Sequence, residues 1–104
     1  VQDRQGFVTT RAVAALLLEG VRMLEDGVAS PKDIDTAVKL GLNHPMGPLE
    51  LADYVGLDTL LYIAESMTEA FGERFRAPQT LRKLVEAGRL GRKSGQGFYR
   101  YDQN

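Results

Sequence analysis

The side-chain chemistry open to this 104-residue chain is narrow: it has one histidine, no cysteine and 14 carboxylates. Without cysteine there is no disulfide, no thiol nucleophile and no thiolate-held metal, which fits a reducing compartment. His44 is the candidate for proton transfer, because an imidazole titrates near neutrality and acts as a general base once a carboxylate orients it. Glu50 and Asp53 lie close enough in the chain to be considered for that task. The plainer role is a loop histidine bonded to the backbone, and the spacing favours it. One histidine and no cysteine also make a poor metal set.

Glycines and cations near the end of the chain raise a second possibility. Gly91, Gly95 and Gly97 with Arg92 and Lys93 would let backbone amides and two cations meet an anion. The pattern is not Gly-x-Gly-x-x-Gly after a strand, and Arg92 breaks the Walker pattern. It reads better as a turn that anchors the aromatic tail Phe98-Tyr99-Arg100-Tyr101 against helices. A third possibility is a helix-turn-helix around residues 31–54. Its reading element, Leu49-Glu50-Leu51-Ala52-Asp53, is apolar and acidic and lacks the side chains that read bases. The carboxylates Asp33, Asp35, Glu50, Asp53 and Asp58 are expected as helix caps and solvated faces.

Charge and hydropathy narrow the partners. Lys plus Arg number 13 against 14 Asp plus Glu, for a net charge of −1. A chain that grips phosphate backbones is normally basic, so nucleic acid is not expected. The longest apolar run is Ala12 to Leu18, against roughly 20 residues for a membrane span. No membrane partner is expected, and no charged-then-apolar leader opens the chain. The first residue is Val1, and the polar opening Val1–Gln5 reads as a linker, so a piece of a longer protein is expected.

The elements that position these residues are helices. Ala, Leu, Arg, Glu and Met dominate residues 11–25, which predicts one long helix over Gly6 to Asp26 with Gly27 as its stop and Gly20 as its weak point. Ala12, Val13, Ala15, Leu16, Leu17, Leu18, Val21 and Leu24 cover more than half its circumference, which predicts burial on several sides, helped by a second chain or domain. Ser30-Pro31-Lys32-Asp33 starts a second helix, with a hydroxyl cap, proline in the first turn and a carboxylate at the positive end. Ile34, Ala37, Val38 and Leu42 are its expected apolar face, and His44-Pro45 stops it. A short helix is expected over Pro48 to Tyr54, a long one over Leu57 to Glu73 and a last one over Pro78 to Ala87, with breaks at Gly56, Gly72 and Gly88. The aromatic tail favours an extended conformation. The fold class is therefore all-α, a single multi-helix domain over residues 1–104 with a short glycine-rich, aromatic extended tail.

Four segments carry a family resemblance. Gly6-Phe7-Val8-Thr9-Thr10-Arg11 resembles the Gly-Phe-x-x-Asn-Arg that opens the C-terminal domain of NAD-dependent 3-hydroxyacyl-CoA dehydrogenases. Asp33-Ile34-Asp35-Thr36-Ala37-Val38-Lys39-Leu40-Gly41 resembles that domain's second helix. His44-Pro45-Met46-Gly47-Pro48-Leu49-Glu50-Leu51-Ala52-Asp53-Tyr54-Val55-Gly56-Leu57-Asp58 is similar to its Pro-Met-Gly-Pro segment. Leu84-Val85-Glu86-Ala87-Gly88-Arg89-Leu90-Gly91-Arg92-Lys93-Ser94-Gly95-Gln96-Gly97-Phe98-Tyr99 resembles its terminal Gly-x-Lys-[Ser/Thr]-Gly-x-Gly-Phe-Tyr.

The resemblance implies a division of labour. A Rossmann domain that precedes this one in the family would bind NAD and carry the catalytic histidine–glutamate pair, so no catalytic, cofactor-binding or metal residue is expected here. His44 is then not the base. The helical domain would form one wall of an acyl-CoA cleft and much of a homodimer interface. Of its residues, Thr10 stands where the family's substrate-contacting Asn would be, and Pro45, Met46 and Gly47 match positions lining the acyl end. The parent would interconvert (S)-3-hydroxyacyl-CoA and 3-ketoacyl-CoA in the cytoplasm of a bacterium or, in the alternative compartment, the mitochondrial matrix. The alternative function is a non-catalytic helical dimerisation module, motivated by Thr10.

Overall fold

The computed structural model describes the backbone of residues 2–101 and the side chains of residues 8–101. Five α-helices follow in order: α1 (Gln2–Glu25), α2 (Pro31–Leu42), α3 (Pro48–Val55), α4 (Leu57–Phe71) and α5 (Gln79–Glu86). Short 3-10 turns occupy Glu73–Phe75 and Arg92–Ser94. The all-α expectation holds. The linker expected at the start does not: α1 begins at Gln2, four residues before Gly6. Gln2, Asp3, Arg4 and Gln5 are residue types compatible with helix. The Phe7 side chain of the first resembling segment lies outside the described residues.

The ends of the helices follow local rules. α1 closes on Gly27, at φ 75°, with the Gly27 N–H donating to the Leu24 carbonyl and the Val28 N–H to that of Met23. This is the paired Schellman arrangement, and it uses the left-handed backbone that glycine adopts without cost. Ser30 caps α2, its hydroxyl accepting the Asp33 N–H at 3.2 Å. α2 ends on Asn43, which takes the left-handed conformation itself at φ 57°.

α1 is the central element, touching α2, α3, α4 and α5. Its side chains at Ala14, Leu17, Leu18 and Val21 are buried, and the last three join Ile34, Leu49, Ala52, Leu57, Leu60, Ala64, Met67, Phe75, Ala77 and Leu81 in one core. The chain itself therefore absorbs most of the described apolar surface of α1; among the described residues of its upstream half, the apolar side chains left exposed are Val8, Ala12 and Ala15. Gly20 is not a weak point but a contact. A Cβ there would lie 2.8 Å from the Pro48 Cβ, so the missing side chain is what lets α3 lie against α1. The expected apolar face of α2 is only partly buried. Ile34 is buried and Val38 half-buried, whereas Ala37 and, in the last turn, Leu42 are exposed.

The tail does not extend. Among the described residues it makes two isolated bridges, Gly91 with Gln96 and Gln96 with Arg100, and no strand. The Gly97 N–H donates to the Tyr99 carbonyl and the Tyr101 N–H to that of Gly95, so the segment turns back on itself. Its aromatic residues lose the β preference to two hydrogen-bond acceptors on the helices.

Candidate functional site

Those acceptors are Asp35 and Asp53, the two carboxylates in the core, at 5% and 1% exposure. They correct the expectation of solvated faces. Asp35 follows Ile34 on the inner side of α2, and Asp53 follows Ala52 on the inner side of α3, so each enters the interior with the apolar residues beside it. A buried carboxylate is tolerated only when donors surround it, and here they do. Asp35 Oδ1 accepts the Leu49 N–H at 2.8 Å, and Oδ2 accepts the Glu50 N–H at 3.0 Å and the Tyr99 hydroxyl at 2.5 Å. Asp53 Oδ1 accepts the Phe98 N–H at 2.9 Å, and Oδ2 accepts the Tyr99 N–H at 3.0 Å and the Tyr101 hydroxyl at 2.7 Å.

Electrostatics follow from this packing. Burial pushes the Asp53 carboxyl above the ordinary carboxylate range, against the hydrogen bonds from Tyr101, Phe98 and Tyr99 that favour its ionised form. Burial, and then the Asp35 carboxylate, push the Tyr99 hydroxyl upward; burial and Asp53 do the same to Tyr101. Both phenols therefore stay protonated donors through the physiological range. On the surface nearby, Lys93 Nζ lies 2.7 Å from Asp58 Oδ1 and 2.9 Å from Oδ2, and this hydrogen bond holds Asp58 below its usual range.

The anionic-ligand reading of the tail does not survive this geometry. The Gly91 amide donates to Gln96, Ser94 to Gly91, Gly95 to Arg92 and Gly97 to Tyr99, so all three glycine amides of the turn are spent within it. Lys93 is paired with Asp58, and the Arg92 guanidinium lies 5.2 Å from the Tyr54 ring centroid and 5.6 Å from that of Tyr101. The segment is an anchor. His44 is exposed, its backbone N–H donates to the Lys39 carbonyl, and Asp53 is committed to the tail and does not orient the imidazole. Among the described residues no cluster of three His, Asp or Glu side chains forms a metal set. None of their helices is long and apolar enough to cross a membrane.

The four expected site residues fall in two places. Pro45 is exposed, Met46 half-buried and Gly47 buried at the N-terminus of α3, where Asp35 holds the first amides of that helix. Thr10 is exposed on α1. It continues, at helical spacing, the stripe Ala14, Leu17 and Val21, all of which are buried. The stripe thus runs out from under the domain and is uncovered at Thr10. Gly20, which touches Pro48, lies ten residues further along α1, so Thr10 and the loop are separated by about 15 Å along the helix axis. The upstream half of α1 is clamped by Arg11, whose guanidinium lies 4.4 Å from the Phe71 ring centroid at the end of α4. On the opposite side of α1 from Thr10, Val8, Ala12, Ala15 and Phe75, with Arg11 and Arg74, line an open groove of about 540 Å³.

Residues 6–101 match the model of the 3-hydroxyacyl-CoA dehydrogenase C-terminal domain. The chain belongs to this family. It is 53% identical over 100 residues to the 3-hydroxybutyryl-CoA dehydrogenase of Mycobacterium tuberculosis, covering 95% of this chain and 35% of that protein. It is 45% identical over 102 residues to the human mitochondrial hydroxyacyl-coenzyme A dehydrogenase, covering 96% of this chain and 32% of that protein. The crystal structure of 3-hydroxybutyryl-CoA dehydrogenase from Escherichia coli superimposes with a TM-score of 0.88 at 40% identity, over 95% of this chain and 21% of that one. That of FadB2 from M. tuberculosis gives 0.85 at 52% identity, over 88% of this chain and 32% of that one. The chain thus spans about a third of the length of the curated relatives it matches.

The residues that residue-by-residue reasoning missed are Asp35, Asp53, Tyr99 and Tyr101. One signal was available: Leu49, Ala52 and Asp53 fall at i, i+3 and i+4, which puts a carboxylate on the apolar face of a short helix. No comparable signal linked either carboxylate to hydroxyls 48 and 64 residues away.

Proposed function

We propose that this chain is the acyl-CoA-facing wall of a dehydrogenase that interconverts (S)-3-hydroxyacyl-CoA and 3-ketoacyl-CoA with NAD. The observation that carries the reading is family membership over residues 6–101, joined to relatives named 3-hydroxybutyryl-CoA dehydrogenase. In this reading NAD belongs to a preceding Rossmann domain, as the family resemblance implies; that the glycine amides of the tail are spent internally supports it. That domain also supplies the histidine–glutamate pair. NAD, when bound there, accepts or returns the hydride at C3.

This chain's own work is to bind and orient. Thr10 offers a hydroxyl, both donor and acceptor, to the thioester or C3 oxygen. Pro45, Met46 and Gly47 shape the acyl end. The uncovered stripe at Thr10 supports a face made to meet another domain across a cleft, and the ~15 Å between Thr10 and the loop suits an elongated ligand. The exposed Val8, Ala12 and Ala15 form the face for a second copy, giving a homodimer. The setting is the bacterial cytoplasm, with the mitochondrial matrix as the alternative that the mitochondrial relatives leave open.

The decisive assay supplies acetoacetyl-CoA and NADH to the full-length protein and, separately, to this chain. Turnover by the full-length protein alone is expected. Turnover by the isolated chain would overturn the division of labour, and none by the full-length protein would overturn the activity. Thr10 in place of the family's Asn favours the second reading, a non-catalytic dimerisation module, which predicts an upstream region lacking Gly-x-Gly-x-x-Gly and the histidine–glutamate pair. For the homodimer, Ala12→Glu is the informative change because Ala12 is exposed while Leu16 is half-buried. Sedimentation of the full-length protein is expected to shift to monomer; an unchanged dimer would refute this face.

A further inference from the structure

Asp35 and the tail form a closed ring of contacts around the base of the Met46 loop. From α2, Asp35 holds the Leu49 and Glu50 amides at the start of α3. From further along α3, Asp53 holds the Tyr99 amide. Tyr99 then returns its hydroxyl to Asp35 at 2.5 Å. Every link involves a carboxylate, so each is of the stronger, charge-assisted kind. The loop is pressed onto this ring with no slack, since a Cβ on Gly47 would lie 2.4 Å from the Asp35 Cα. A shift of the Asp35 carboxylate is therefore a shift of Gly47 and, through one peptide, of Met46. Beside the ring, Lys32, Lys39, Glu50 and Arg100 border an open cleft of about 420 Å³, so water reaches the Asp35–Tyr99 bond once it loosens.

We propose that Tyr99, acting through Asp35, is a positioning residue for acyl-chain selection: the C-terminal tail sets the shape of the 45–47 loop. The inference rests on the reading of that loop as the acyl end of the cleft. Tyr99 touches no substrate in this scheme. Its hydroxyl supplies the third donor to a carboxylate whose other two ligands are the amides that orient the loop. Tyr101 provides an internal comparison. Its hydroxyl makes an equivalent bond, 2.7 Å, but to Asp53 Oδ2, which holds the Tyr99 amide and stands one link further from the loop than Asp35.

The test uses Tyr99→Phe and Tyr101→Phe in the full-length protein, with two readouts. The first is the ratio of kcat/KM for a four-carbon against an eight-carbon 3-ketoacyl-CoA. The second is native-state hydrogen exchange at the Leu49 and Glu50 amides. Tyr99→Phe is expected to speed exchange at both amides by about tenfold, the order of one lost hydrogen bond. It should change the chain-length ratio by severalfold through KM, with kcat for the four-carbon substrate within about twofold. Tyr101→Phe, which weakens the fold to a similar extent but acts one link away through Asp53, should change both readouts clearly less than Tyr99→Phe. Equal effects from the two variants would overturn the proposal by making it a matter of general stability. Faster exchange with an unchanged ratio would overturn the link to substrate while leaving the ring intact. If the unaltered protein turned over no 3-ketoacyl-CoA, the functional reading itself would fall and the proposal with it, and exchange would still report separately whether the ring exists.

Discussion

Replacing Gly47 by alanine tests the packing at the centre of the site with the addition of one methyl group. The backbone at Gly47 is ordinary, φ −76° and ψ 169°, which any residue adopts. Conformational strain therefore contributes nothing, and the cost is one of space. The new Cβ would stand 2.3 Å from the Asp35 Cβ and 2.4 Å from its Cα and Oδ1. Carbon atoms rest at about 3.5–4.0 Å, so the loop and α2 must part by more than about 1 Å. Overpacking of this kind costs about 1–3 kcal/mol. The same movement strains the Asp35 bonds to Leu49 and Glu50, and losing one charge-assisted bond adds about 1.5–3 kcal/mol. The expected total is about 2.5–6 kcal/mol, a large part of the ~5–15 kcal/mol that holds a domain together. Urea denaturation followed by circular dichroism should show the midpoint falling by about 2 M at constant slope. Gly41→Ala is the matched control, because Gly41 lies in α2 with no atom within 4 Å of a built Cβ. It should stabilise by up to about 1 kcal/mol. A Gly47→Ala protein within about 0.5 kcal/mol of the original would refute the close-approach argument, as would equal losses from the two alanines.

Asp53 gives a pH signature. Its native carboxyl titrates above the unfolded value of 3.8 because it is buried, so the native state keeps a proton that the unfolded chain has already lost. Its contribution to stability is therefore greatest below pH 3.8 and declines as pH rises through the raised native value. Urea midpoints across about pH 3 to 7 should fall for the natural chain relative to Asp53→Asn over that window; parallel curves would count against a raised carboxyl. The Lys93–Asp58 pair has the opposite sign, since Asp58 is held low and its contribution is lost as pH falls through that depressed value. With both side chains about half exposed, Lys93→Met should cost under about 1 kcal/mol at low salt and nothing measurable at 1 M salt. A loss that persists at high salt would place its origin in packing of the lysine stem.

Much of this protein is local in origin, and that part was legible in the order of its residues. Ser30-Pro31 starts α2, Gly27 and Gly88 stop helices, and Gly56 separates α3 from α4 because capping and chain reversal depend on neighbours within four or five positions. The family resemblance was legible for the same reason: its four motifs are runs of adjacent residues. Tertiary structure alone decided what lies across the folded chain. Gly20 looked like a defect in a helix until Pro48 was seen against it. Asp35 and Asp53 looked like solvated carboxylates until hydroxyls from Tyr99 and Tyr101 were found on them. The tail looked extended until its amides were seen turning inward to those acceptors. The physical reason is one of range. Helix formation is set by a turn or two of chain, whereas burying a charge depends on donors that only folding brings within 3 Å. The carboxylates themselves were in plain view; their partners were not.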